Sequence, residues 1–263
     1  MAGDDRSRAR EAQGGLLGPN DPPPVEIINP QGRSPFLLVG DHCGNRIPQA
    51  LGTLGLAAAD RERHIAWDIG TAALGEFLAH QLDAVFVRQA YSRLVIDCNR
   101  DPDAADAIPE VSDGTAIAGN RHLSSHDRAE RIATIHAPYQ DAIAGEIIRR
   151  THDGLPTRLV SLHSFTASMS GVARPWQIGI LHDGANDAMA LRLLEWLRAP
   201  GSWVVGDNEP YVMDATDHTV PRHAFAAELA YAEIELSQIE LISEAGIRNW
   251  CTTIAKGLEM AVS

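Results

Sequence analysis

Four short stretches of this sequence gather the side chains that can do chemistry. "LLVGDHCGN" (37–45) carries Asp41, His42 and Asn45, and "RLVIDCNRD" (93–101) carries Arg93, Asp97, Asn99, Arg100 and Asp101. "LVSLHSFT" (159–166) ends an apolar run on His163 and Ser164, and "YAEIELSQ" (231–238) sets Glu233 and Glu235 inside another. Ionisable groups in apolar settings are costly unless they are paired or coordinated. The simplest chemistry that uses all four stretches is that of a mononuclear metal hydrolase. Two neutral imidazoles delivered from separate strands suit Zn²⁺, a third oxygen or nitrogen ligand completes the protein shell, and water takes the open position. A carboxylate within reach removes the proton from that water. An arginine beside an asparagine clamps a substrate carboxylate through a charge-assisted pair. Glu233 and Glu235 share one face of their strand, so this reading alone leaves either as the base.

Other chemistries fit less well. There is no GxSxG elbow for a serine nucleophile, and Cys43 beside His42 lacks the separate base and orienting group that a catalytic thiol needs. His64 and Asp68, four residues apart in "HIAWDIG", face the same way on a helix and form either an ion pair or a second metal-linked pair. Asp68 there also suits the start of a helix, where a carboxylate complements the dipole. Arg93 serves either the substrate or a turn. The glycines of "DHCGN" and "DGTAIAGN" are loop punctuation, not a phosphate-binding fingerprint. The acidic stretch 101–113 reads as a solvated loop, placed to cover the Asn99–Arg100 clamp.

These residues must be positioned by the elements around them. Strand-length apolar runs occupy 35–40, 84–89, 93–98, 158–163, 176–182, 202–206 and 230–236. Most are continuously apolar at their centres, as expected of strands covered on both faces. Helical periodicity appears around Ile69, Ala73, Phe77 and Leu78, across 125–150 with Pro138 marking a kink or break, and over 186–199 and 243–261. The alternation predicts an α/β fold, a mixed β-sheet flanked by helices on both faces. The runs 84–89 and 93–98 are joined too tightly for a crossover helix and are expected to be antiparallel neighbours. In such sheets ligands gather at the carboxyl ends of strands, where the four stretches lie.

The 263 residues, 44% hydrophobic, suffice for one large core. Residues 1–24, charged and rich in Gly and Pro, are expected to form a flexible arm, and 25–263 a single domain. A formal charge of −13 argues against nucleic acid as a partner. The three cysteines lack CxxC spacing and read as reduced thiols. No apolar run approaches the roughly 20 residues of a membrane span, and no signal-like segment opens the chain. A soluble cytoplasmic protein is the expectation; oligomeric state is not legible.

"LHSFT", "DCNR" and the late "IEL" resemble the zinc carboxypeptidase superfamily. More closely, "DHCGNRIP", "HIAWDIGTAAL", "YSRLVIDCNRDP", "SDGTAIAGN", "RIATIHAPY", "LHSFT" and "AEIEL", in order from about residue 36 to 260, resemble the N-formylglutamate amidohydrolase family. The resemblance implies a phosphorylase/hydrolase-like fold and metal-assisted hydrolysis of N-formylglutamate, a small anionic N-acyl amino acid, to formate and glutamate. By matched motif it implies His42 and His163 as zinc ligands, Glu235 as base, and Asn99 and Arg100 as carboxylate clamp. The superfamily's glutamate ligand, three residues after the first histidine, is replaced here by Asn45. A carbonyl ligand from Asn45, or a carboxylate from Asp41 or Asp68, must stand in. The rival readings are a hydrolase of another N-acyl amino acid or short peptide, and a binder of an anionic ligand without turnover.

Overall fold

The computed structural model describes residues 15–169 and 171–263. A seven-stranded sheet runs in the order β1 (Val25–Ile28), β3 (Val85–Gln89), β2 (Phe36–Gly40), β6 (Arg158–Phe165), β11 (Ala230–Ser237), β9 (Ile178–Leu181) and β10 (Val205–Asp207). Two hairpins stand apart from it, β4 (Val111–Ser112) with β5 (Thr115–Ala116) and β7 (Ser168–Met169) with β8 (Val172–Ala173). Neighbours β3, β2, β6 and β11 are parallel, while β1 runs antiparallel to β3 and β9 antiparallel to β11. The sheet is therefore mixed, as expected, but for a different reason.

The run 93–98 is not a strand. Its residues turn, with the Arg93 amide donating to the Ala66 carbonyl and the Val95 amide to Ser92. Leu94, Val95, Ile96 and Cys98 are apolar because this loop is buried, not because it joins the sheet. The antiparallel partner of β3 is instead β1, a four-residue strand that its short "VEII" does not announce. Of the segment 1–24, residues 1–14 lie outside the described residues, whereas Leu16 is buried and the Pro22 carbonyl accepts from the Tyr91 hydroxyl.

Alternation divides the strand side chains between two cores. Phe36, Leu38, Val160, Leu162, Ala232, Ile234 and Leu236 face one layer, formed by α2 (Thr71–Leu82), α5 (Ala188–Arg198) and α6 (Glu244–Val262). Leu37, Val39, Leu159 and Tyr231 face the other, which holds α4 (Ala137–His152) and the buried 93–98 loop. The four-residue α1 (Ala58–Arg61) precedes the His64–Asp68 stretch. The 125–150 periodicity resolves into α3 (Ser125–Arg131), a π turn over Ile132–His136, and α4 with Pro138 in its first turn, where a missing amide hydrogen is harmless. Ser124 and Asp127 close a capping box at the start of α3. No helix among the described residues is long and apolar enough to cross a membrane.

Candidate active site

On β6 and β11 the residues alternating with the apolar set are polar: Ser161 and His163 on one strand, Glu233 and Glu235 on the other. The two strands are parallel and in register, Ser161 opposite Glu233 and His163 opposite Glu235, so one sheet face carries all four side by side. β2, the other neighbour of β6, ends at Gly40 and delivers Asp41 and His42 from its carboxyl end. Gly44 lets this loop lie against the end of β3, because a Cβ there would sit 2.0 Å from the Ala90 carbonyl oxygen.

His42, His163, Glu233 and Glu235 line one cavity of about 620 Å³ with Asp68, Arg93, Asp97, Asn99 and Arg100. The His42 and His163 rings meet edge to face at 5.1 Å. His42 Nε2 is 2.7 Å from Asp97 Oδ1, which leaves its buried Nδ1 without a hydrogen-bond partner, 3.5 Å from Asp68 Oδ2. His163 Nδ1 lies 3.0 Å from the same Asp68 oxygen, and its Nε2 lies 3.0 Å from Ser161 Oγ and 3.3 Å from Asp41 Oδ2. Both imidazoles thus present Nδ1 toward Asp68, with an acceptor fixing each Nε2–H. A histidine metal ligand takes this form, its far nitrogen held by a carboxylate. One donor atom from each of His42, Asp68 and His163 lies within 4.8 Å of the others, close enough to share an ion. Two nitrogens and one carboxylate oxygen, all buried, suit zinc with one position open.

The electrostatics agree with a cation there. Burial alone would raise the Asp68 carboxyl, but His42 and His163 hold it below the ordinary range. Burial also works against charge on His163, yet Asp41 and Asp68 raise its pKa well above the usual histidine value. Arg93 donates to Asp97 Oδ2 from Nη2 at 2.6 Å and from Nε at 3.0 Å, and its Nη1 lies 3.7 Å from Asp68 Oδ1. It therefore balances two of the carboxylates around the histidines. Glu233 and Glu235 are 2% and 5% exposed, and Oε2 of each has no hydrogen-bond partner. Burial pushes both carboxyls up to about 8 against the pull of His163.

The other anticipated residues are placed differently. Asn45 is not brought into the cluster: its Nδ2 donates to the Arg61 carbonyl at 3.3 Å and to Glu62 Oε2 at 3.2 Å. The carboxylate that lies against the two histidines is Asp68, 26 residues beyond His42 in the chain. His64 does not pair with Asp68, since 64–68 is a turn and not a helix; its Nε2 lies 3.4 Å from Asp113. Asn99 spends its amide on structure, accepting from the His218 and Thr219 amides and donating to Asp217. Arg100 donates to Asp106 and to the Asn99 and Thr216 carbonyls. The acidic 101–113 stretch forms part of the cavity wall through Asp106, Pro109, Ser112 and Asp113. Cys43 is buried and its thiol is pushed far up by burial and by Asp68, so it is no nucleophile.

One wall escaped the sequence reading. The loop after β10 brings Tyr211, Val212, Asp214, Thr216 and Asp217 to the cavity, and Thr219 Oγ1 donates to Asp41 Oδ1 at 2.7 Å. The signal for it was available: a polar, Pro-containing stretch, "DNEPYVMDATDHT", follows the carboxyl end of a strand.

Known proteins share this fold. A gene product of Agrobacterium tumefaciens of known structure is similar at 31% identity, over 94% of this chain and 98% of that one, with a TM-score of 0.91. An N-formylglutamate amidohydrolase from Ralstonia eutropha shares the fold at 17% identity, over 91% and 97% of the two chains, with a TM-score of 0.62. No curated protein matches the sequence. The family model described as N-formylglutamate amidohydrolase matches residues 34–241. The chain belongs to the N-formylglutamate amidohydrolase family.

Proposed function

We propose that this amidohydrolase is zinc-dependent and removes the formyl or another acyl group from an N-acyl amino acid, N-formylglutamate being the first substrate to assay. The observation that carries the reading is the convergence of two buried Nδ1 atoms on one Asp68 oxygen, beside a buried Glu235 whose Oε2 has no partner. His42, Asp68 and His163 would hold the metal. When bound, zinc supplies a Lewis acid and lowers the pKa of a coordinated water.

The remaining work falls to the chain. Glu235, on the strand beside His163, takes the proton of the attacking water and returns it to the amide nitrogen as the C–N bond breaks. Its poor solvation favours that role, because a carboxylate stripped of hydrogen bonds holds a proton more readily. Asp97 and Asp41 keep each imidazole in the Nε2–H tautomer, and Arg93 balances the charge of Asp97. Glu233 is the less suitable base, since its register partner is Ser161 and not His163.

The test is metal content by elemental analysis alongside formate release from N-formylglutamate, before and after chelation. Stoichiometric zinc with chelator-sensitive release supports the reading. Glu235→Gln should keep the metal and lose about 10²- to 10⁴-fold in turnover. Near wild-type turnover in that variant would reject Glu235 as the base. Metal without formate release would redirect the search to other N-acyl amino acids and short peptides.

A further inference from the structure

The cavity holds many carboxylates and two arginines, and both arginines are engaged. Arg93 is held by Asp97 and faces Asp68; Arg100 is held by Asp106, with Asp217 at 4.0 Å. A substrate carboxylate arriving at either guanidinium meets anions already in place. Such an arrangement neutralises the protein's own charges and leaves a poor clamp.

A third arginine packs against residues of the cavity wall without this encumbrance. Arg174 directly follows β8 and is half-buried. Its guanidinium lies over the Tyr211 ring at 4.6 Å and near the Phe165 ring at 5.9 Å. Nη1 donates to the Tyr211 hydroxyl at 2.9 Å and Nη2 to Met169 Sδ at 3.2 Å. It forms no ion pair with a carboxylate among the described residues. Phe165, Met169 and Tyr211 all line the cavity, and Phe165 lies two residues beyond His163. The Arg174 charge also reaches Glu235, where it opposes the upward push of burial.

A phenol and a thioether are neutral, weak acceptors for a guanidinium, whose fork is built for a carboxylate. The aromatic pair holds the plane in position, so little side-chain freedom remains to be lost on binding. We propose that Arg174, with the Tyr211 hydroxyl beside it, is the site that takes a carboxylate of the substrate, in place of Asn99 and Arg100. The proposal rests on the N-acyl amino acid reading above and adds the residue that recognises the anionic end. Because this contact is made equally to bound substrate and to the transition state, its loss falls on KM and not on kcat.

The experiment compares zinc-loaded wild type, Arg174→Gln, Arg174→Lys and Arg100→Gln. Three substrates are used: N-formylglutamate and its two monoamides, N-formylglutamine and N-formylisoglutamine. Glutamate binding is measured separately by calorimetry. Arg174→Gln should raise KM for N-formylglutamate about 10- to 100-fold with kcat within a few-fold, and should erase the wild-type preference over one monoamide. That monoamide identifies whether the α- or the γ-carboxylate is held. Arg174→Lys, which keeps the charge and loses the fork, should fall between, showing that the effect is recognition and not misfolding. Hydrolysis with equal KM in wild type and Arg174→Gln overturns the subsite and leaves the hydrolase reading standing, as does a larger KM effect from Arg100→Gln. No hydrolysis by wild type, with glutamate binding that still depends on Arg174, supports the subsite and removes N-formylglutamate hydrolysis as the reaction. Neither hydrolysis nor glutamate binding overturns both.

Discussion

Loading the metal-free protein with zinc should expel protons, and the structure says from where. His163 is raised well above the usual histidine value despite burial, because Asp41 and Asp68 face its two nitrogens, so at pH 7 it carries its extra proton. Its Nδ1 must give up that proton before it can ligate, which contributes about one proton per zinc. Asp68, Asp97 and Asp41 are held below the ordinary carboxylate range and are already ionised, so they contribute none. Glu233 and Glu235, pushed to about 8, are protonated at pH 7 and add up to about one each as a dication arrives beside them. Burial and Arg93 work against charge on His42, yet Asp97 and Asp68 raise it too, so it adds up to about one more and the total at pH 7 is about one to four. The sign follows: protons compete for the folded site below the raised histidine pKa, so zinc affinity falls as pH falls, by up to about tenfold per unit for each proton displaced. Calorimetric titration in buffers of different ionisation enthalpy counts the protons directly. His163→Ala should release about one fewer, and Glu235→Gln up to one fewer. Zinc binding at pH 7 with no net release, or a count unchanged in His163→Ala, would refute the assignment of His163 as a charged ligand in waiting.

Three further outcomes follow from the same geometry. Asp97→Asn replaces the carboxylate that orients His42 and balances Arg93, and should weaken zinc affinity about 10- to 100-fold in a competition titration against a chromophoric chelator. Glu233→Gln should stabilise the metal-free fold more at pH 8.5 than at pH 5. The folded carboxyl titrates near 8 and the unfolded one near its ordinary value, so wild-type stability drains away as pH rises between them, on the order of a few kcal/mol, and thermal melts across that range would show the gap widening or disprove it. Ile234→Ala, on the opposite face of β11 and fully buried under the helix layer, should cost about 2–5 kcal/mol in urea unfolding while leaving KM unchanged; a KM effect instead would mean the two faces of the strand are not independent.

Several features were legible without a structure because they are local. Continuous apolar runs at 35–40, 158–163 and 230–236 became β2, β6 and β11, since a strand covered on both faces can hardly be spelled otherwise. Polar residues at the ends of those runs marked the site, because a charge near a core needs a partner. The same logic misled at 93–98, where apolar residues line a buried turn; periodicity reports burial and cannot tell which element is buried. Only the tertiary structure brings a carboxylate to the two histidines, because Asp68 reaches them through a turn whose direction no local pattern encodes, while Asn45, nearer in sequence, turns back to Arg61 and Glu62. Likewise the alignment of Glu235 with His163 is a register between strands some 70 residues apart, and the freedom of Arg174 is visible only once every other arginine at the cavity has found its carboxylate. The sequence determined which residue types meet at the carboxyl ends of these strands; the packing of distant segments decided which atoms remain free to act.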